Sequence, residues 1–235
     1  MNGVHDMGGQ HCHGPVIVEG DESLFHHEWE RRVLALALAC GATGTWNLDQ
    51  SRFSRESLPP DLYLSSSYYK IWLEALERML VSKGLLSDQE LANGKMELPA
   101  KDVKQVLRAE NVTAALQKGS SVEREASSAA RFAVGDRVYV RNYQPQTHTR
   151  LPAYIRQQTG TIAEVHGCHI FPDSHAQGQG EDARWLYCVE FAASDLWGDT
   201  DSNNKTTDQP ASTGNTVMVD CWEPYLDALA DTPAG

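Results

Sequence analysis

The chain has 235 residues, of which 41% are hydrophobic and 22% are charged, a composition typical of one large or two modest globular domains. The formal net charge of −12 argues against a nucleic-acid-binding protein, which usually presents a basic face. No apolar run is long enough to cross a membrane, and the first residues lack the basic and apolar regions of a secretory signal. We therefore expect a cytoplasmic protein that binds neither nucleic acids nor membranes.

The chain begins with a segment that has no periodic pattern. Residues 1–22 contain five glycines, which predicts an extended arm that is ordered only against another surface. Apolar residues then recur at helical spacing from about Leu24 to Cys40, with Ser23 as the cap. These features predict an arm at 1–22, followed by a helical domain at 23–118.

Further helices are predicted by caps and apolar stripes. A short helix begins after Asn47 or Asp49, either of which can cap it, and Pro59 and Pro60 stop it. A long helix with a broad apolar stripe follows, with a glycine after its last residue as the expected end signal. The expected bounds are Tyr68 to Lys83 for this long helix, Ser87 to about Asn93 for a short one, and about Pro99 to Arg108 and Asn111 to Lys118 for two weaker ones.

The second half of the chain predicts short strands instead of helices. Residues 119–131 are small, polar and charged, which is typical of a linker between domains. Beyond them, alternating apolar residues are separated by turn-forming clusters. The strands are expected at 137–142, 160–166, 185–191 and 215–220. The sequence thus predicts an α+β protein: an extended arm, a helical domain and an SH3-like β-barrel at 132–235.

A polar loop between the first two predicted strands contains Arg150. Pro152 fixes its own φ angle and pushes Leu151 into an extended conformation, so the loop is stiff around the arginine. A guanidinium on a stiff loop is well placed to bind a planar anion. Arg52 lies in the helical half. Either arginine alone is more commonly a surface ion-pair former.

No metal site with a known spacing is found in the sequence. His11, Cys12 and His13 lie near His5, but they lack a partner cluster at zinc-site spacing. The acidic segment that starts at Asp199 resembles half of a calcium loop without its required glycine and glutamate. The five cysteines are widely spaced and are expected to be free thiols.

Several segments, taken in order, resemble one protein family. They are MNGVHDMGG at the N-terminus, FHHEWE, NLDQSRF, YLSSSYYKIWL, RFAVGDRVYV, HTRLPAYIR, FPDSHAQGQGE, DLWG and VDCWEPYL. Each segment is weak evidence alone, but the ordered set resembles the β subunit of nitrile hydratase from residue 1 to about 229.

The resemblance implies an enzyme of two subunit types that adds water to nitriles to form amides. In this family the α subunit binds cobalt(III) or iron(III) through backbone amides and a cysteine cluster of the VCTLCSC type, in which two cysteines are oxidised. No such cluster occurs in this chain. The resemblance implies that the chain binds no metal itself, is inactive alone, and joins an α subunit as αβ or α2β2. Trp72 favours cobalt over iron.

The resemblance also implies roles for individual residues. Arg52 and Arg150 are expected to reach across the interface to the oxidised cysteine oxygens, because a guanidinium matches such acceptors. Tyr68 is expected to hydrogen-bond near the nucleophile. The expected substrate-pocket residues are Leu48, Tyr69, Trp72 and Ala37.

The sequence departs from the family pattern in places, and two alternatives stay open. Ser51 replaces an apolar or aromatic residue and is expected to widen the pocket. The segment after Tyr154 reads IRQQTG where relatives have Arg-Gly-Lys, and residues 200–214 resemble an insertion. The alternatives are a thiocyanate hydrolase-type subunit and a non-catalytic SH3-like accessory or metal-delivery module.

Overall fold

The computed structural model describes residues 2–10, 13–15, 24–198 and 215–229. The described residues do not include Ser23, His11, Cys12, Asp199 or the loop at 200–214. The helices run α1 Glu28–Gly41, α2 Leu48–Glu56, α3 Pro60–Ser65, α4 Tyr68–Ser82, α5 Asp88–Asn93, α6 Val112–Lys118, α7 Pro172–Ala176 and α8 Ala193–Trp197. The strands are β1 Glu123–Arg124, β2 Arg137–Val140, β3 Thr159–His169, β4 Arg184–Ala192, β5 Thr216–Trp222 and β6 Leu226–Ala228.

The long helices of the first half confirm the periodic patterns, with shifts at their ends. Helix α1 starts at Glu28 rather than near Leu24, because Glu30 turns back to accept hydrogen bonds from the backbone N–H groups of His26 and His27. Helix α4 starts at the predicted residue, and Gly84 follows it with a φ of 65°. Trp46, Leu76 and Met79 form the small core between these helices.

The predicted helix from Pro99 to Arg108 is wrong. This segment has no helical residues and lies along the ends of other helices. Lys101 Nζ donates to the carbonyl of Lys83, 3.0 Å away, and Gln105 donates to the carbonyl of Ala42. The last carbonyls of a helix have no partner within it. Here they are satisfied by side chains of the extended segment, which favours the extended conformation over a local helix.

The second half forms one antiparallel sheet in the order β5-β4-β3-β2-β6, with β1 paired to β3. All four predicted strands are present, and β1 lies within the predicted linker. The core on one face of the sheet includes Val138, Ile162, Tyr187, Val189 and Phe191, which are almost completely buried.

The sheet curls, but it is not closed. Strand β5 lies at one edge and β6 at the other, yet only the 3-10 turn Glu223–Tyr225 separates them along the chain. The two edges must therefore approach each other. Within the described residues no ladder pairs β5 with β6, so the α+β class is confirmed while a closed SH3-like barrel is not.

The described part of the N-terminal arm folds back on the same chain. Residues 2–10 form two turns, closed by the Asp6 N–H to Gly3 carbonyl and Gln10 N–H to Met7 carbonyl hydrogen bonds. The carboxylate of Asp6 is buried and accepts a hydrogen bond of 2.8 Å from the backbone N–H of Ala153. The arm is thus held against the loop that follows Arg150. None of the helices in the described residues has the length and apolar character of a membrane span.

Gly160 gives a direct test of the packing between β3 and β4. A Cβ atom at this position would lie 2.5 Å from Val189 Cγ1 and 2.8 Å from the Glu190 carbonyl oxygen. We expect Gly160→Ala to lower the free energy of unfolding by about 1–3 kcal/mol, as overpacking does in other cores. The measurement is urea denaturation of the full chain.

The matched control is Gly41→Ala, at the end of α1. Among the described residues, apart from its chain neighbours and its own helix backbone, no atom lies within 4 Å of a Cβ built there. The control should leave stability unchanged or slightly raise it. Equal stability of the two variants would contradict the close approach at Gly160.

Candidate functional site

Helix α2 presents one charged face to the second half of the chain. Asp49, Arg52 and Glu56 lie three and four residues apart, which places them on the same side of the helix. Asn47 fixes the start of the helix, since its side chain accepts a 2.9 Å hydrogen bond from the backbone N–H of Gln50. Arg52 Nη1 donates to Asp49 Oδ1 at 3.0 Å.

His148 joins the two carboxylates of α2. Its imidazole is almost fully buried, with Nδ1 2.7 Å from Glu56 Oε2 and Nε2 3.6 Å from Asp49 Oδ1. His175, on α7, places its Nδ1 2.8 Å from the other oxygen of Asp49. Two histidines of the second half therefore hold the charged face of α2.

Arg150 reaches the same face from the loop before Ala153. Its Nη1 lies 3.7 Å from Glu56 Oε1. We call the set of Asp49, Arg52, Glu56, His148, Arg150 and His175 the α2 cluster. Arg52 and Arg150 are 41% and 37% exposed at their side chains, whereas the carboxylates between them are mostly buried. The cluster therefore has two arginine cations at the surface and two buried carboxylates beneath them.

A buried hydrogen-bond network fixes the backbone at Arg150. Its N–H donates to the hydroxyl of Tyr225 at 3.2 Å, and the hydroxyl of Thr149 donates to the same oxygen at 3.1 Å. Tyr225 in turn donates to the carboxylate of Asp173. Burial raises the pKa of Tyr225 far above its usual range, so its hydroxyl stays protonated and can donate.

The charged groups of the α2 cluster shift one another's pKa values. Burial alone would raise the pKa of Asp49 and Glu56. The hydrogen bonds of Asp49 with Arg52 and His175, the hydrogen bond of Glu56 with His148, and the nearby cations outweigh burial and lower both pKa values. Burial would lower the pKa of His148, but the two carboxylates outweigh it and raise that pKa. The arrangement favours a charged imidazolium between two carboxylates.

Three aromatic side chains gather at the start of α4. The ring of Tyr68 lies 5.2 Å from that of Tyr69 and 5.5 Å from that of Trp72. The guanidinium of Arg55, on α2, lies 3.9 Å from the centre of the Trp72 ring. Tyr68 is 64% exposed, so its phenol is accessible on the surface. Arg55 thus connects the aromatic group to the helix that carries Arg52.

The remaining predicted pocket residues divide between two places. Ala37 and Trp72 line one narrow crevice together with Ser51 and Arg55. The hydroxyl of Ser51 in this crevice accepts a 2.9 Å hydrogen bond from Arg55. Leu48 and Tyr69 are absent from this crevice; Leu48 is half-exposed at the first turn of α2.

The residues that hold the two arginines were not predicted from the sequence. Asp49 and Glu56 share one helix face with Arg52, a spacing visible in the sequence. His148 lies two residues before Arg150, and His175 lies in the FPDSHAQGQGE segment. Their partners are about 90 to 130 residues distant, as the separations of 92 and 126 residues show. No local pattern predicts such pairs.

Two family descriptions together match most of the chain. "Nitrile hydratase beta subunit, N-terminal" matches residues 1–118, and "Nitrile hydratase beta subunit, C-terminal" matches residues 121–228. The chain is 36% identical to the low-molecular weight cobalt-containing nitrile hydratase subunit beta of Rhodococcus rhodochrous, covering 96% of this chain and 99% of that protein. It is 38% identical to the nitrile hydratase subunit beta of Pseudomonas putida, covering 97% and 99% of the two chains.

A relationship to thiocyanate hydrolase is more distant. The subunit alpha of that enzyme from Thiobacillus thioparus is 35% identical over 68 residues, which are 29% of this chain and 54% of that protein. The nitrile hydratase matches, in contrast, extend over both the helical half and the sheet. The chain therefore belongs to the nitrile hydratase β-subunit family.

Proposed function

We propose that this chain works with an α subunit to hydrate nitriles to amides, and that the α2 cluster is its contribution to the active site. Membership of the family implies such a partner. The observation that carries the proposal is that Arg52 and Arg150, from opposite halves of the chain, both pair with α2 carboxylates bridged by His148. Two cations held in this way can bind one anionic target.

The proposed target of the arginines is the set of oxidised cysteine oxygens in the α subunit. Asp49 contacts Arg52 through Nη1, and Glu56 lies near Nη1 of Arg150, so each guanidinium has further N–H groups directed elsewhere. Sulfenate and sulfinate oxygens are negatively charged acceptors. Guanidinium groups form short, charge-assisted hydrogen bonds with such acceptors. This chain would therefore orient and stabilise the oxidised ligands without binding the metal.

Cobalt(III) is the proposed metal of the partner, in preference to iron(III). The similar protein from Rhodococcus rhodochrous is named as cobalt-containing. When bound by the α subunit, the metal supplies Lewis-acid activation of the nitrile.

The aromatic group on α4 is the proposed substrate-facing wall. Tyr69 and Trp72 present ring surface beside Tyr68, whose exposed phenol can donate a hydrogen bond to a reacting group. Leu48 would add apolar surface from α2. Ala37 contributes through the crevice behind Trp72, where its small size leaves room for the indole.

The buried partners of the arginines are positioning residues. Asp49 and Glu56 fix the guanidinium groups, and His148 prevents the two carboxylates from repelling each other. A folded-state pKa below the ordinary value means that Glu56 contributes its full stability above its ordinary pKa of 4.5, and Asp49 above its ordinary pKa of 3.8. Each contribution is lost as the pH falls through the folded-state pKa. The raised pKa of His148 means that its contribution is complete below pH 6.5 and is lost as the pH rises through the folded-state pKa.

The first prediction from this proposal concerns the partner. Expressed alone, the chain should show no nitrile hydration, whereas co-expression with an α subunit should give a complex that hydrates nitriles and contains cobalt. Metal analysis, native mass and amide formation are the measurements, and the mass distinguishes αβ from α2β2. Activity of the complex on thiocyanate but not on nitriles would contradict the proposal, as would activity of the chain alone.

The second prediction concerns the two arginines. Each charge-assisted hydrogen bond contributes about 1.5–3 kcal/mol, so Arg52→Ala and Arg150→Ala should each lower kcat of the complex roughly 10- to 100-fold. Arg31→Ala and Arg141→Ala are matched controls, because these arginines form exposed ion pairs with Glu28 and Asp227. Unchanged kcat in both test variants would refute the assigned roles.

The third prediction concerns pH. The stability difference between the chain and its His148→Gln variant should be largest between pH 4.5 and 6.5 and should shrink above pH 6.5, because the imidazolium loses its charge. Denaturant unfolding from pH 4.5 to 9 measures this difference. A difference that stays constant over the range would show that His148 is not a charged member of the α2 cluster.

A further inference from the structure

We propose that His166, Cys188 and Asp220 form a binding site for a divalent transition-metal ion, with Zn²⁺ as the best match. The three residues come from the adjacent strands β3, β4 and β5. Their ligand atoms, an imidazole nitrogen, a thiol sulfur and a carboxylate oxygen, all lie within 4.8 Å of one another. This site is separate from the α2 cluster and does not depend on the proposed function.

Strand register places two of the ligands directly opposite each other. Tyr187 and Val189 point into the core of the sheet, so Cys188 between them points to the outer face. Cys221 is also buried in that core, so Asp220 beside it points outward as well. Cys188 and Asp220 are backbone partners across β4 and β5. Directly opposed residues on one face have neighbouring side chains.

A bulge in β3 brings His166 next to Cys188 and Asp220. Val165 pairs with Tyr187 and Gly167 pairs with Leu186, so His166 is an additional residue with no partner of its own in the ladder. Gly167 makes this possible with a φ of 99°. As a result, His166 Nε2 lies 3.0 Å from Asp220 Oδ1.

A carboxylate is also available behind the histidine. Glu164 pairs with Cys188 across β3 and β4, and its Oε1 lies 3.6 Å from His166 Nδ1. Histidines that bind metals through one nitrogen usually direct the other to a carboxylate, which fixes the ring. Glu164 can have this role while Nε2 faces the metal.

The donor set and its exposure select the class of ion. Zinc is bound by cysteine, histidine and carboxylate at about 2.0–2.3 Å, which separates tetrahedral ligands by about 3.3–3.8 Å. In the structure the three ligand atoms lie within 4.8 Å of one another, so the side chains would rotate toward the ion when it binds. Thiolate and imidazole favour Zn²⁺ over Mg²⁺ or Ca²⁺. The side chains of His166 and Asp220 are 28% and 58% exposed, so a water molecule can complete the coordination.

The simplest competing explanation is a surface ion pair between His166 and Asp220. That pair does not account for the free thiol of Cys188 beside it. A metal site and an ion pair also differ in a measurable way, since only the metal site requires the sulfur.

The test is titration of the full chain with Zn²⁺ by calorimetry and with Co²⁺ by absorption. The background carries Cys12→Ser, because the His11-Cys12-His13 segment could also bind metal. We expect one Zn²⁺ per chain and a thiolate-to-cobalt charge-transfer band. Cys188→Ser should abolish the band, and Asp220→Asn should weaken Zn²⁺ binding. Glu164→Gln should raise the Kd roughly 10- to 100-fold, as loss of a ligand-orienting partner does elsewhere.

Cys40→Ser, on α1, is the matched control and should bind like the background. Circular dichroism shows whether each variant is folded. The proposal is overturned if the charge-transfer band persists in folded Cys188→Ser, or if the background binds no Zn²⁺ and His166 and Asp220 form only an ion pair.

Discussion

The ion-pair contacts between His148 and the two carboxylates of α2 join the second half of the chain to the first. Without a cation between them, Asp49 and Glu56 would be two buried negative charges on one helix face. With the imidazolium of His148 between them, the loop that carries His148 and Arg150 is held against α2, which carries Arg52. The position of each arginine therefore depends on contacts between the two halves of the chain.

Such a buried charged set is a weak source of net stability. Removing charges from water costs several kcal/mol for each ion, and attraction inside the protein only partly offsets that cost. A single-residue change is nevertheless severe, because it leaves the remaining charges unpaired. We interpret the α2 cluster as a set of residues that orients the two arginines. It gives Arg52 and Arg150 defined directions at positions where ordinary surface arginines would sample many rotamers.

The parts of the fold that depend on local patterns could be predicted from the sequence. The apolar stripe of α4 and the alternation in β2 are set by neighbouring residues, and both elements are present. The segment at 99–108 could not be predicted, because its conformation depends on carbonyl groups at the ends of distant helices. The candidate site divides in the same way. Motifs indicate Arg150, but the contact of His148 with Glu56 spans 92 residues and leaves no local pattern.

The hydrogen bond from Ala153 to Asp6 has a consequence for folding. It joins residues 147 positions apart, so the loop beside Arg150 acquires its last partner only when the first residues of the chain return to it. Contacts of such long sequence separation carry a large loop-closure entropy cost and generally form after local structure. The arm should therefore dock late, on a nearly finished sheet. Until then, the loop that carries one of the two arginines is expected to be less restrained than the helix that carries the other.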